Sequence, residues 1–435
     1  MTPGTAANPK AGTAADPMAG TPMPPVDAWL HRQQVTGRAC MTALLLAWFT
    51  GPVPSLAALR ERAGERLAGL PRLRLVPEAS AWPAWRPAGT GYPAGHHVTP
   101  PPAAPADPLE TQVAQLLTAP FEAGYPPWQL HPIPVADGFA LALRAHHALL
   151  DGTSMNTVLG ALLDPATPDP APAQPAAEAR PEPDPPTRLR RWAWTLDDLL
   201  PKGRPLPIHR PVDAARSVCF TRIPGPELAA ARDALATRAG ARPASRIAVF
   251  LTAVAGAARD LGLTGPLPGL PGFCALVPVD IRTGGQADLL GNHYATVRVA
   301  LSADPDPLPR LATMDSRTEP GRLRRRARAQ AAVLATRPRR FTPLNLVAAR
   351  YVDSPGYFSL LCTSVTDPRA GRTLGPARLT ALAGMPPLGP GHPLAVTLVH
   401  HADGAVLTTV TDRRHAHLAT PLATLIRDQI GRLAG

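Results

Sequence analysis

The stretch His146-His147-Ala148-Leu149-Leu150-Asp151-Gly152 constrains the chain more than any other. Ahead of it, the apolar run Phe139 to Ala145 follows Asp137-Gly138, a dipeptide that favours a tight hairpin turn, and reads as a strand. Behind it, Met155, Val158, Leu159, Leu162 and Leu163 recur at helical spacing, with Thr153 or Ser154 placed to cap the first turn. The two histidines and the aspartate therefore fall where a buried strand ends and a loop turns into a helix. Such a junction holds the backbone still while leaving side chains open to a cavity.

Successive strand residues point to opposite faces, so only one of His146 and His147 can project into a given pocket. Asp151 is an acceptor able to pin an arginine or orient the loop, and Gly152 lets the chain turn where a side chain would collide. A metal-dependent hydrolase is the alternative use of paired histidines. Adjacent ones diverge on a strand, however, and no cysteine or third histidine lies nearby at ligand spacing, so no metal is expected. No Gly-x-Ser-x-Gly occurs, which argues against a serine hydrolase.

A chain of 435 residues is too long for one typical core and fits two domains. Strands interleaved with helices on both sides of a central break argue for two layered α/β units. In the first half, Cys40 to Phe49 reads as a strand, Ser55 caps a helix carrying Leu56, Leu59, Ala63 and Leu67, and Leu109 to Leu117 is helical. Residues 1–23 lack large apolar side chains and are expected to be a disordered leader, so the first half runs over 24–163. A Pro-, Ala- and acid-rich run over 164–187 reads as an extended linker, with a short helix from Trp192 to Leu200 and the second half over 188–435. There, Ser217 to Ile223, Phe273 to Val279, Ala295 to Leu301, Tyr357 to Val365, Leu394 to His401 and Ala405 to Thr411 read as strands. Pro226 to Arg238, Ile247 to Leu261 behind Ser245, and Pro421 to Leu433 read as helices.

The formal charge of +12 implies attraction to anions such as CoA phosphates, an acidic carrier protein or anionic lipid. Lys10 and Lys202 are the only lysines, so arginine carries the excess. It concentrates at Arg322, Arg324, Arg325, Arg326 and Arg328, with Arg337, Arg339 and Arg340 beyond, which reads first as a solvated helix face and second as a surface for anionic lipid or a cofactor phosphate. No aromatic interleaving or finger spacing accompanies it, so nucleic acid is not an expected partner. Cys40, Cys219, Cys274 and Cys362 are far apart in apolar sequence and read as small core residues in a reducing compartment. No apolar run reaches the roughly 20 residues of a membrane helix, and a cytoplasmic location follows as the expectation.

The stretch Pro127-Trp128-Gln129-Leu130-His131, followed by Phe139 to Ser154, resembles the bacterial wax ester synthase/diacylglycerol acyltransferase family. That family belongs to a superfamily of thioester-dependent acyltransferases that includes chloramphenicol acetyltransferase and the condensation domains of peptide synthetases. The resemblance extends to Pro25-Val26-Asp27-Ala28-Trp29-Leu30, Leu70-Pro71-Arg72-Leu73-Arg74, Val277-Pro278-Val279-Asp280-Ile281-Arg282 and Gly291-Asn292-His293, and so covers nearly the whole chain after the leader. Two stretches depart from it. Ile247-Ala248 replaces an Asn-Asp pair at the start of an Ala-rich helix, and Thr363-Ser364-Val365-Thr366-Asp367-Pro368 replaces a Ser-Asn-Val-Pro-Gly-Pro loop. Polar groups lining the family's pocket are thereby altered.

The resemblance implies an α/β fold of two chloramphenicol acetyltransferase-like sandwich domains with an active-site tunnel at their interface. It implies that His147, rather than His146, is the general base that takes a hydroxyl proton and returns it to the departing thiolate, with no acyl-enzyme. Asp151 would be structural and pair with an arginine of the second half, for which Arg282 is the candidate. Trp128 is either core or an acyl-chain contact, while Asn292 and Thr363 are polar candidates for substrate or oxyanion contact that could equally cap turns. The implied donor is acyl-CoA or an acyl carrier protein thioester, with no bound cofactor. The acceptor would be a long-chain alcohol, a diacylglycerol or a natural-product hydroxyl or amine, with peripheral contact to a membrane or lipid-droplet surface. A catalytically silent relative that binds a thioester, carrier protein or lipid would carry a damaged motif, and here the motif is intact.

Overall fold

The computed structural model describes residues 20–89, 93–102, 104, 106–165, 187, 193, 194, 197, 200, 202–264, 273–336, 339–367 and 371–435. Its strands are β1 (Thr21–Pro22), β2 (Thr42–Thr50), β3 (Leu75–Glu78), β4 (Ala84–Pro87), β5 (Trp128–Val135), β6 (Gly138–His146), β7 (Arg216–Pro224), β8 (Cys274–Asp280), β9 (Tyr294–Ala300), β10 (Leu360–Thr366), β11 (Thr373–Leu374), β12 (Ala377–Met385), β13 (Leu394–His401) and β14 (Gly404–Asp412). Among the described residues they form a first sheet in the order β11-β12-β2-β6-β5, a second in the order β7-β14-β13-β10-β8-β9, and a small one in the order β1-β4-β3.

The hairpin of β5 and β6 turns through Ala136-Asp137, one residue before the expected Asp137-Gly138, since Gly138 opens β6 paired with Val135; glycine is obligatory at that position. Its φ is +146°, and a Cβ would lie 2.2 Å from the Phe49 carbonyl oxygen of β2. Gly404 repeats the device in the second half, with φ +152° and a Cβ position 2.3 Å from the Ile223 oxygen of β7. The two halves are thus built alike without sharing sequence. In each, a long strand preceding a helix pairs antiparallel with a glycine-opened strand.

Three expectations are corrected. Order begins before residue 24: β1 pairs with β4, Met23 is fully buried, and its amide donates to the Pro83 oxygen. The remainder of the leader, most of the 164–187 linker and much of the Trp192 to Leu200 segment lie outside the described residues. The helix behind the motif is capped by Asp151 and not by Thr153 or Ser154, and β5, which carries Pro132 and Pro134, lies at a sheet edge, where a missing amide donor is tolerated.

The third correction concerns the domain division. β11 and β12 come from the second half of the chain yet belong to the first sheet, β12 pairing antiparallel with β2 from Arg378↔Thr50 to Met385↔Leu44. Without it the apolar β2 would be an exposed edge, the kind of open ladder that folds avoid. β12 also packs on the second sheet, where a Cβ on Gly384 would meet Thr397 and Val399 of β13 at 3.4 and 3.6 Å. The halves are therefore stitched across a shared apolar layer that includes Leu44, Leu46, Ala383, Met385, Ala395 and Val406.

Candidate active site

β6 ends at His146, and the helix Gly152–Leu162 begins six residues later with Asp151 as its N-cap. Between them the loop has almost every backbone group held. The His146 amide donates to Pro127 oxygen at 2.9 Å and the His147 amide to Met41 oxygen at 2.7 Å, while the Ala148 amide donates to His146 Nδ1 at 3.0 Å. The carbonyls of His147 and Ala148 accept from Asn292 Nδ2 at 2.8 and 3.1 Å. Those of Ala148 and Leu149 accept from Arg72 Nη2 and Nε, each at 2.9 Å. A loop so completely satisfied loses little further entropy when it meets a substrate.

Asp151 is the pivot. One carboxylate oxygen accepts from the Ser154 amide at 2.7 Å, capping the helix, and from Arg282 Nη2 at 3.0 Å. The other faces Arg282 Nη1 at 3.0 Å and accepts from the His293 amide at 2.9 Å. The fork-on-carboxylate pair is buried, and Arg282 also donates to Ser154 Oγ, Gly291 oxygen and Leu289 oxygen. Ser154 Oγ in turn donates to Gly291 oxygen and accepts the Gly291 amide. The helix of the first half and the 289–293 loop of the second are thereby locked together.

His146 and His147 diverge as strand geometry requires. His146 is 5% exposed, its Nδ1 is used by the turn, and its ring lies 5.9 Å from that of His31. Burial, with the nearby His31 and His147, pushes its pKa down to about 3. His147 keeps some accessible surface although its Nδ1 is enclosed, so Nε2 is the ring nitrogen left to meet a ligand. Burial lowers its pKa, opposed by its own carbonyl, the Asp151 charge, Asn292 and the Asp27 charge. The imidazole is therefore neutral near pH 7 with a base available at Nε2. Tyr294 stands beside it, ring centroids 5.7 Å apart, and burial raises the phenol pKa so that the hydroxyl stays protonated.

Two site residues were not singled out from sequence. Asp27, 1% exposed, accepts from Asn292 Nδ2 at 2.8 Å, Trp85 Nε1 at 3.0 Å and Arg72 Nη2 at 2.5 Å. Arg72 then carries the loop carbonyls. Both fall in stretches that carry the family resemblance, and that was their only signal.

Of the other candidates, Asn292 is spent on Asp27 and the loop carbonyls rather than facing a substrate. Trp128 is core: it is fully buried, donates to Leu73 oxygen at 2.9 Å and stacks on His97 at 4.1 Å, so the acyl-chain contact is not its place. Trp128→Ala is expected to cost about 3–5 kcal/mol of stability, read as a lowered urea midpoint, with acyl chain-length preference unchanged. Thr363 lies half-buried on β10, in register with Thr397 of β13. Among the described residues, no group of three or more His, Cys, Asp or Glu side chains is placed to hold a metal ion. The four cysteines are unpaired.

Enclosed histidines also set a pH dependence. His97 and His131 are buried and pushed down to about 4, chiefly by burial, and His146 to about 3. Below the ordinary value of 6.5 the unfolded chain binds protons that the folded chain refuses, so stability falls as pH falls. The urea midpoint is expected to be flat from pH 8 to 7 and to drop below about 6.5, each histidine contributing up to about 1.4 kcal/mol per pH unit.

No helix among the described residues is long and apolar enough to cross a membrane. On the helix Pro343–Val352, Leu344 is 78% and Val347 62% exposed, with Arg339, Arg340 and Arg350 also at the surface.

The fold is that of known acyl-transfer and condensation proteins. The wax ester synthase/diacylglycerol acyltransferase from Marinobacter aquaeolei VT8 superposes with a TM-score of 0.62 at 15% identity, covering 95% of this chain and 98% of that one. The first condensation domain of the CDA synthetase gives 0.62 at 16%, covering 96% and 97%. The trichothecene 15-O-acetyltransferase from Fusarium sporotrichioides gives 0.61 at 13%, covering 93% of each. No curated protein sequence matches the chain. Residues 24–264 match the wax ester synthase/diacylglycerol acyltransferase catalytic domain and residues 290–433 the C-terminal domain of the same family. The chain therefore belongs to the wax ester synthase/diacylglycerol acyltransferase family and has its chloramphenicol acetyltransferase-like architecture, that of an acyltransferase.

Proposed function

We propose that the protein moves an acyl group from a thioester, acyl-CoA or an acyl carrier protein, to the hydroxyl of a lipophilic acceptor, a long-chain alcohol, a diacylglycerol or a natural-product alcohol or amine. The observation that carries this reading is His147: a neutral imidazole with Nε2 unclaimed, on a loop immobilised from both halves of the molecule. His147 Nε2 takes the acceptor proton as the oxygen attacks the thioester carbonyl, and the C–S bond breaks as the tetrahedral intermediate collapses. The proton then passes from the imidazolium to the leaving thiolate. Atoms and charge balance without an acyl-enzyme and without a bound cofactor.

Asp151 and Arg282 position the loop in this mechanism and do not touch substrate. Thr363 and the Tyr294 hydroxyl are the polar groups left for the acceptor or the oxyanion, in place of Asn292. A relative in the same fold crystallised with C8-CoA and Leu-SNAC, the starter condensation domain of rhizomide synthetase, lends support to a thioester donor. The exposed Leu344 and Val347 among surface arginines support peripheral contact with an anionic membrane or lipid droplet.

The test is a panel of acyl-CoAs offered with alcohols, diacylglycerols and amines, following free thiol and product mass. Thiol release coupled to an ester or amide is expected, and the product mass names the acceptor class. Absence of both across all pairs, including carrier-bound donors, would leave the catalytically silent reading instead.

A further inference from the structure

A second cavity of about 150 Å³ lies on the helical side of the second sheet, away from His147. Arg232, Arg246, His400 and His401 line it, together with Gly225 and Val249. It is smaller than the roughly 300–1,000 Å³ of a drug-sized ligand site and suits a compact group. Two features point to an anion. His400 is 5% exposed with its Nε2 buried and without a hydrogen-bond partner. Arg232 and Arg246 also bring two guanidinium groups to the wall of this one cavity.

The charged side chains in its lining are both arginine. Arg232 donates through Nε to Ala244 oxygen, and Arg246 through Nη1 to Thr366 Oγ1; among the described residues neither forms an ion pair. Arg246 and Arg232 depress the His400 pKa after burial does, and Arg232 acts likewise on Arg246. The nearby carboxylates, Asp367 and Asp403, act on His401. Two arginines lining one cavity repel each other and are stabilised when an anion enters between them.

We propose that this cavity binds a phosphate group. Two guanidinium groups, with the His400 imidazole beside them, supply charge-assisted donors to several phosphate oxygens at once. The position suggests what could carry the phosphate. β8, β10 and β13 run parallel, so Asp280 at the end of β8, Thr366 at the end of β10 and His400 near the end of β13 leave the sheet on one edge. Arg282, which holds the His147 loop through Asp151, continues from that same edge. A thioester donor with its phosphate here would have its other end toward the catalytic loop; this assignment rests on the proposed function, whereas phosphate binding itself does not.

The experiment is calorimetric titration of the full chain with inorganic phosphate at constant ionic strength in chloride. Wild type is expected to bind, with Arg246→Gln and His400→Asn weakening binding at least about tenfold and the exposed Arg324→Gln unchanged. Arg246 is exposed, so its variant keeps the fold. Equal titration curves for wild type and Arg246→Gln, or none for wild type, would overturn the pocket. The source is then read from KM. A rise for acyl-CoA but not for the phosphate-free acyl-pantetheine in Arg246→Gln assigns the donor phosphate. An unchanged KM alongside lost phosphate binding assigns a free phosphate or another phosphate ester.

Discussion

His147→Ala is expected to lower kcat by about 10²–10⁴-fold while leaving the urea midpoint near that of wild type. In the proposed mechanism the ring is the chemical group, and its structural debts are few. The loop is held by the His147 amide and carbonyl, which alanine retains, and Nδ1 makes no hydrogen bond to another residue. His146→Ala is expected to behave in the opposite sense, because His146 Nδ1 accepts the Ala148 amide that shapes the turn and Nε2 is sealed from solvent. Its loss costs stability and reaches activity only through the loop. Since burial lowers the His147 pKa, the base stays neutral below pH 6.5, and the acid limb of kcat/KM is expected under that value. A limb above 6.5 would require an imidazole stabilised as the cation, contrary to the enclosure seen.

Arg282→Ala carries the second large effect. It strands the Asp151 carboxylate in a buried setting with only two amides as partners, and breaking a buried pair from one side costs about 3–5 kcal/mol. It also removes donors to Ser154 Oγ and to the carbonyls of Gly291 and Leu289, so the 289–293 loop loosens. Asn292 sits in that loop, which is how the loss reaches His147. Both the urea midpoint and kcat should fall. Asp151→Asn should be milder, since the amide oxygen can still cap Ser154 while Arg282 keeps Asp280 Oδ1 at 3.1 Å as a counter-charge. The Asp151→Asn/Arg282→Ala double variant should be less unstable than the sum of the singles.

Much of this was legible in the sequence because it is local. The strand from Phe139 and the helical repeat from Met155 to Leu162 each depend on neighbours a few residues away, whereas the cap falls to Asp151 instead of Thr153 or Ser154 because the helix starts at Gly152. Arg282 was reachable only through family resemblance, and the structure pairs it with Asp151 as that implied. The failures are the non-local terms. Asp27 meets Arg72, Trp85 and Asn292 across 45, 58 and 265 residues, and no periodicity records such a meeting. The return of β12 to the first sheet is equally silent, since a strand's sequence does not name the edge it will cover. β5 carries two prolines that an edge position tolerates. Trp128 and Asn292 each had two uses open in the sequence, and packing and backbone carbonyls claim them.

Direct transfer to an acceptor poised by His147 is tested most plainly by mixing protein with an acyl thioester in the absence and presence of an accepting alcohol, following thiol release and the intact mass of the chain. The account predicts no thiol and an unchanged protein mass without the alcohol, and stoichiometric thiol and ester with it. A burst of thiol with a chain heavier by one acyl group, before any acceptor is added, would contradict it.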